Sequence, residues 1–233
     1  MTREEYIEGL FSIYDLVSVL SRKNNGCVLR LRNRAQGRDL VLRSYPKAVA
    51  AYDSLAEIEC KNLPIIYDTV SLDDGQIVLE EHINGVTIAE SLEIGNYSYA
   101  GAKRVIRSVC GALSVLHELG FVHRDIKPEN IMVDKNGRVV LLDFNVSRRV
   151  SEASRDTVIM GTVGYASPEQ MGISQSDART DIYALGVLLN VMLTGKHPSE
   201  ELTRGRAGNI VRKCTSVNPD DRYRSVQKLS EIL

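Results

Sequence analysis

The sequence lacks a charge excess, a long apolar run and any closely spaced cysteine pair. It carries 29 basic and 30 acidic side chains in 233 residues, a formal net charge of −1. That removes the basic footprint a nucleic-acid binder presents to phosphates, so no nucleic acid is expected as a partner. The longest uncharged apolar stretches, Ile77–Leu79 and Ala184–Leu193, fall well short of the ~20 residues that span a bilayer as a helix. The first ten residues are acidic where a secretory signal carries its basic end, so neither a leader nor a membrane segment is expected. Cys27, Cys60, Cys110 and Cys214 stand far apart, with no C-x-x-C pattern and no histidine at ligand spacing. This points away from a disulfide scaffold or a zinc site and toward a reducing, cytoplasmic setting. No period of 20–50 residues recurs, so a repeat array is not expected. What is present is 43% hydrophobic residues, enough to bury a core, and the 25% charged residues of an ordinary globular chain.

Along the chain, Thr2 and Glu5 form a capping-box pattern, with Ile7, Leu10, Phe11 and Tyr14 on one helix face. Strands are expected at 16–20 and 27–32 around the turn Lys23-Asn24-Asn25-Gly26, and a third from Asp39 to Tyr45. A short helix is expected around 47–60, then strands at 65–70 and 76–81 about Asp73-Asp74-Gly75. After Gly85 the pattern turns helical. Val105, Ile106, Val109, Leu113 and Leu116 predict a long amphipathic helix over 98–119. Strand-like runs at 130–133 and 138–142 follow, then a polar segment over 145–166, a buried helix over 181–193 and amphipathic helices to the end. A small β-rich part followed by a larger helical part implies a cleft between them, the usual home of a small ligand.

Five short motifs then occur in order. His123-Arg124-Asp125-Ile126-Lys127-Pro128-Glu129-Asn130 resembles the catalytic loop of the eukaryotic-type (Hanks-type) serine/threonine protein kinases. Asp143-Phe144-Asn145 resembles their D-F-G, Ser167-Pro168-Glu169 their A-P-E, and Asp181 to Gly186 their central helix. Arg222 sits where the family places the partner of the A-P-E glutamate. The resemblance spans about residues 16–233, is strongest after residue 120, and has a compact, bacterial-like cast. It implies an α+β, bilobal protein-kinase-like fold over 1–233: an N-lobe (1–81) with a truncated helix C, a hinge (82–85) and a helical C-lobe (86–233).

The implied reaction is transfer of the γ-phosphate of Mg-ATP to protein serine or threonine hydroxyls, with Mn²⁺ an alternative metal. Such transfer depends mostly on positioning and charge neutralisation. Asp125 would orient the acceptor hydroxyl, and Lys127 would stabilise the migrating phosphoryl charge. Asn130 and Asp143 would offer hard oxygen ligands to the metal. His123 is expected to be a packing residue. The resemblance places Leu20, Gly26, Val28, Val41, Arg43, Glu80, Glu81, Ile83 and Met132 around the nucleotide.

The first part departs from the family. Of the glycine-rich loop only Gly26 and Val28 remain in Ser21–Val28, so the phosphates lose close backbone approach. Arg43 stands where the family has a lysine, and Ala51 where helix C has its glutamate. Glu80 falls on the gatekeeper position, normally apolar; a buried carboxylate there needs a partner, and pairing with Arg43 is the expectation. Asn145 replaces the D-F-G glycine and is expected to take a positive φ. Autophosphorylation among Ser151, Ser154 and Thr157 is expected beside Arg124, Arg148, Arg149 and Arg155, while Thr162 is expected to contact Asp125 and Lys127. The alternatives are a pseudokinase scaffold, favoured by the lost glycines, Arg43 and Ala51, and a small-molecule kinase, disfavoured by the A-P-E region.

Overall fold

The computed structural model describes residues 1–23, 25–149, 162, 164–171 and 176–233. The fold is α+β, and the chain divides into two compact units: residues 1–60 with 64–83, and residues 61–63 with 84–233.

In the first unit, α1 (Arg3–Leu10) opens on the expected capping box: Thr2 accepts from the Glu5 N–H and Glu5 accepts from the Thr2 N–H. Strands β1 (Tyr14–Lys23), β2 (Gly26–Asn33) and β3 (Asp39–Tyr45) precede α2 (Ala50–Leu55), and β4 (Ile66–Leu72) and β5 (Gly75–Glu81) follow. They form one antiparallel sheet in the order β1-β2-β3-β5-β4. Its alternation sorts two chemistries onto two faces. Leu29, Leu31, Leu40, Leu42, Ile77 and Leu79 bury on one face, against Ile7, Leu10 and Phe11 of α1. Val28, Val41, Arg43, Val78 and Glu80 share the other.

Two expectations change here. Tyr14 packs on the α1 side of the sheet, but from the start of β1 rather than from the helix. The helix placed over 47–60 is only six residues, 50–55. Its buried anchors are Ala51, Tyr52 and Leu55, and without a further apolar turn so short a helix gains nothing by extending. It is held by side chains: the Tyr45 and Tyr52 hydroxyls meet at 2.9 Å, and Gln76 bridges the Val49 N–H (2.8 Å) and Asp53 (2.7 Å).

The second unit contains β6 (Gly85–Thr87), α3 (Ile88–Ile94), α4 (Tyr99–Glu118), β7 (Phe121–Val122), β8 (Ile131–Asp134), β9 (Val139–Leu141), β10 (Arg148–Arg149), α5 (Ala178–Thr194), α6 (Gly205–Cys214) and α7 (Val226–Ile232). Strands β6, β8 and β9 form a small sheet in that order, and β7 pairs with β10. The apolar stripe expected on α4 is buried along its length. Helix α5 is buried nearly all round, and a Cβ on Gly186 would lie 2.4 Å from the Cys214 Cβ of α6, so glycine sets that close approach. The first strand of the 130s starts at Ile131, because Asn130 ends a 3-10 turn. Residues 61–63, placed by the sequence with the first lobe, cluster with the second unit: Asn62 donates to the Val139 carbonyl (2.8 Å) and its own carbonyl accepts the Leu141 N–H (2.9 Å). All four cysteines are free thiols, and among the described residues no helix is long and apolar enough to cross a membrane.

Candidate active site

In the second unit the candidate residues begin at the end of β7. His123 and Arg124 are buried, and the Asp181 carboxylate of α5 accepts both of their backbone N–H groups, at 2.9 and 2.8 Å. His117 meets the same carboxylate at 2.8 Å. The loop is thereby bolted to the most buried helix of the unit, and Arg124 is held at φ +71, a conformation that non-glycine residues rarely take. His123 Nδ1 accepts the Asp125 N–H (3.3 Å), while Nε2 donates to the Leu142 carbonyl (3.2 Å). The ring packs edge-on against Phe144, centroids 5.4 Å apart. Burial drives its pKa below the usual value, consistent with a neutral packing residue.

Around Asp125 the expected residues come together. Lys127 Nζ lies 2.8 Å from Asp125 Oδ2 and donates to Thr162 Oγ1 at 2.8 Å; the Thr162 hydroxyl donates to Asp125 Oδ1 at 2.8 Å. Asn130 Nδ2 donates to the Asp125 carbonyl (2.8 Å) and to Oδ2 (2.9 Å). Burial alone would raise the Asp125 carboxyl. The bonds from Lys127 and Thr162, the Lys127 charge and the Asn130 amide outweigh it and hold the carboxyl below its ordinary value. Because the Asn130 amide nitrogen is committed to Asp125, its Oδ1 is the side-chain atom that would be left to a hard cation. The Asp143 carboxylate would be a second oxygen donor, and oxygen donors of this kind would suit Mg²⁺, which takes few protein ligands. Met132 lies on β8, half-buried.

The D-F-G counterpart departs from expectation. The positive φ, +64°, falls on Asp143 and not on Asn145. The Asp143 side chain accepts the Asn145 N–H (3.3 Å), so the turn is taken up one residue pair earlier, by a side chain that can satisfy it locally. Ser151, Ser154, Arg155 and Thr157 lie outside the described residues.

In the first unit the nucleotide-side candidates share the sheet face opposite α1. Val28 stands directly across from Arg43, and Val41 from Glu80. Arg43 Nε donates to Glu80 Oε1 at 2.6 Å, with the Glu80 side chain 1% exposed. The expected pair is therefore formed, on neighbouring strands rather than through a helix. Gly26 has a different reason for being glycine: a Cβ there would lie 2.5 Å from the Ser44 carbonyl of β3. Leu20 sits at a register shift of β1 between Val19 and Ser21 and is exposed. Glu81 is engaged structurally, its N–H and carboxylate bonded to the Ile65 carbonyl (2.8 Å) and N–H (3.2 Å). Ile83 is buried.

Several contributors were not singled out from the sequence. Gln170 Nε2 donates to the Arg124 carbonyl at 2.8 Å. His197 Nε2 donates to the Gly164 carbonyl at 2.9 Å while its Nδ1 accepts from Ser199. Neither stands in a motif, and only tertiary proximity reveals them. Glu169 forms the expected pair with Arg222, bidentate at 2.6 and 2.9 Å, and takes a bond from Thr180 at 3.0 Å.

The chain is similar in sequence to known proteins. Serine/threonine-protein kinase PknB of Mycolicibacterium smegmatis is 34% identical over 173 residues, covering 72% of this chain and 26% of that protein. A probable serine/threonine-protein kinase of Corynebacterium efficiens is 32% identical over 176 residues, covering 73% and 25%. Serine/threonine-protein kinase PknL of Mycobacterium tuberculosis is 38% identical over 148 residues, covering 62% and 37%. The chain thus spans about a quarter of the length of the first two. The family model described as "Protein kinase domain" matches residues 24–232, which takes in the β2–β5 sheet, the Asp125 loop and the Glu169–Arg222 pair, and the chain accordingly belongs to the protein kinase domain family.

Proposed function

We propose that residues 1–233 act as one ATP-dependent serine/threonine protein kinase domain, moving the γ-phosphate of ATP to protein hydroxyls. The observation that carries this reading is the closed ring Asp125–Lys127–Thr162 with Asn130 locked onto it. In the proposed reaction, Asp125 accepts a hydrogen bond from the attacking hydroxyl and fixes its line of approach. Lys127 places its ammonium charge where the transferred phosphoryl group gathers negative charge. Arg43 contacts phosphate oxygens, and Glu80 holds its guanidinium in place. Val28 and Val41, on the same sheet face, offer apolar surface to the base. A Mg²⁺ ion held through Asn130 Oδ1 and the Asp143 carboxylate would neutralise phosphate charge.

Autophosphorylation among Ser151, Ser154 and Thr157 belongs to the same proposal and is supported by their place between Asp143 and Glu169. A cytoplasmic setting is supported by the four free thiols.

The test is transfer of labelled γ-phosphate from Mg-ATP to a general protein acceptor and to the chain itself, comparing wild type with Asp125→Asn. Transfer by wild type that drops at least about a hundredfold in the variant supports the reading. Equal silence of both, with nucleotide still bound, would leave a pseudokinase. That alternative has a specific observation behind it, the replacement of the lysine by Arg43.

A further inference from the structure

At the start of α1, Arg3 joins three separate parts of the first unit. Its backbone N–H and Nε both donate to the Asp74 carboxylate in the β4–β5 turn, at 2.7 and 3.1 Å. Its NH1 donates to the Asn25 carbonyl at the tip of the β1–β2 hairpin, at 2.9 Å, and to Ser44 Oγ near the end of β3, at 3.0 Å. The Arg3 side chain is only 13% exposed. A planar fork spreads its donors, so that Nε and NH1 reach partners on different elements, whereas an ammonium gathers its three donors at one point.

A cavity of about 380 Å³ lies between α1 and the hairpin tip, lined by Ile7, Glu8 and Phe11 on the helix side and by Arg22 and Cys27 on the hairpin side. The Arg3 guanidinium lines the same cavity and bridges from the helix to the tip. Any side chain on Gly26 would meet the Ser44 carbonyl of β3 beside the same tip, so β2 and β3 run too close there for a residue other than glycine.

We propose that Arg3 is a positioning residue for nucleotide binding: by tying the Asn25 carbonyl to Ser44 and Asp74, it sets the height of the hairpin that takes the place of the glycine-rich loop. This rests on the kinase reading of the first unit. Arg3 touches no reacting group; it acts through the hairpin backbone. The cost of lost glycine flexibility is offset by a hairpin already held in its working position.

Three variants test this: Arg3→Ala, Arg3→Lys and Glu5→Ala. The last removes half of the capping box and weakens α1 without touching the tie. Each is measured for KM of ATP and kcat, for Mg-ATP affinity by calorimetry, and for amide exchange over residues 22–27. Arg3→Ala is expected to raise KM and the dissociation constant about tenfold with kcat within about twofold, and to speed exchange at the tip. Arg3→Lys should fall between it and wild type, and Glu5→Ala should leave nucleotide affinity and tip exchange unchanged. An unchanged KM and exchange in Arg3→Ala overturns the inference, as does an equal effect of Glu5→Ala, which would reduce the role to helix stability. If wild type transfers no phosphate, the kinase reading fails separately, and calorimetry with exchange still decides the role of Arg3.

Discussion

Arg43 and Glu80 show how one substitution is made tolerable by another. An arginine in place of a lysine brings a broader, planar cation into a nearly closed position, and that cation needs a fixed acid. Glu80 supplies it from the adjacent strand, on the diagonal of the sheet ladder where side chains meet. Glu80→Ala leaves the Arg43 charge without this partner, and thermal or urea unfolding should register a loss of about 3–5 kcal/mol. If Arg43 contacts phosphate as proposed, the same variant should raise KM for ATP more than it lowers kcat. The Asp125 carboxyl carries a second prediction. Since its pKa is held below the ordinary ~4, the carboxylate stays ionised down to acidic pH, and the acid limb of kcat/KM should lie below that value. Thr162→Val removes one of the bonds that lower it, so the limb should move to higher pH in a pH–rate profile. A limb that does not move would detach Thr162 from Asp125.

At the scale of elements, short pieces are held by specific side chains where helix length cannot hold them. Helix α2 is six residues long and docks through Tyr52, Asp53 and Gln76. The segment around Glu169 is anchored to α5 and to the 3-10 turn before Arg222, whose guanidinium also donates to the Ser216 and Arg179 carbonyls. Arg222→Ala should therefore cost about 3–5 kcal/mol, as the loss of one member of a buried pair does. Arg222→Lys, lacking the fork, should recover only part of it in the same denaturation assay. These anchors differ in how readable they are. The acid of Glu169 and the base of Arg222 stand in motifs, whereas Gln76 is a lone polar residue and Gln170, although it follows Ser167-Pro168-Glu169, is not one of the motif positions. The capping box Thr87-Ile88-Ala89-Glu90 forms at the start of α3, but the apolar residues after it are too few to show a helical period.

For the whole molecule, acid pH is the natural probe. Glu169 and Asp181 are buried carboxyls: burial pushes both up, and the bonds from Arg222 and Thr180, and from His117 and the loop N–H groups, bring both below their ordinary values. A lowered carboxyl stabilises the fold above its unfolded pKa, and that stability is lost as pH falls through the folded value. His123, lowered by burial, favours the neutral form and acts in the same direction, starting from its unfolded value near 6.5. The urea midpoint should thus be flat above about pH 7, decline gently below about 6.5 and fall steeply below about 4. A midpoint that rises on acidification would contradict the burial of all three groups. The sequence by itself determined the motif loop around Asp125, the strands of the first part and the long helices. Motif spacing within one loop and periodicity within one element are local properties, and local chain geometry converts them directly into neighbours. The sequence also pointed Arg43 to Glu80, but only the tertiary structure decided that Asp143 rather than Asn145 turns left-handed, that Gln170 holds the Arg124 carbonyl, and that Arg3 reaches Asn25, Ser44 and Asp74. Those contacts join residues up to 71 positions apart, and which distant side chain fills a given position depends on the packing of every element between them.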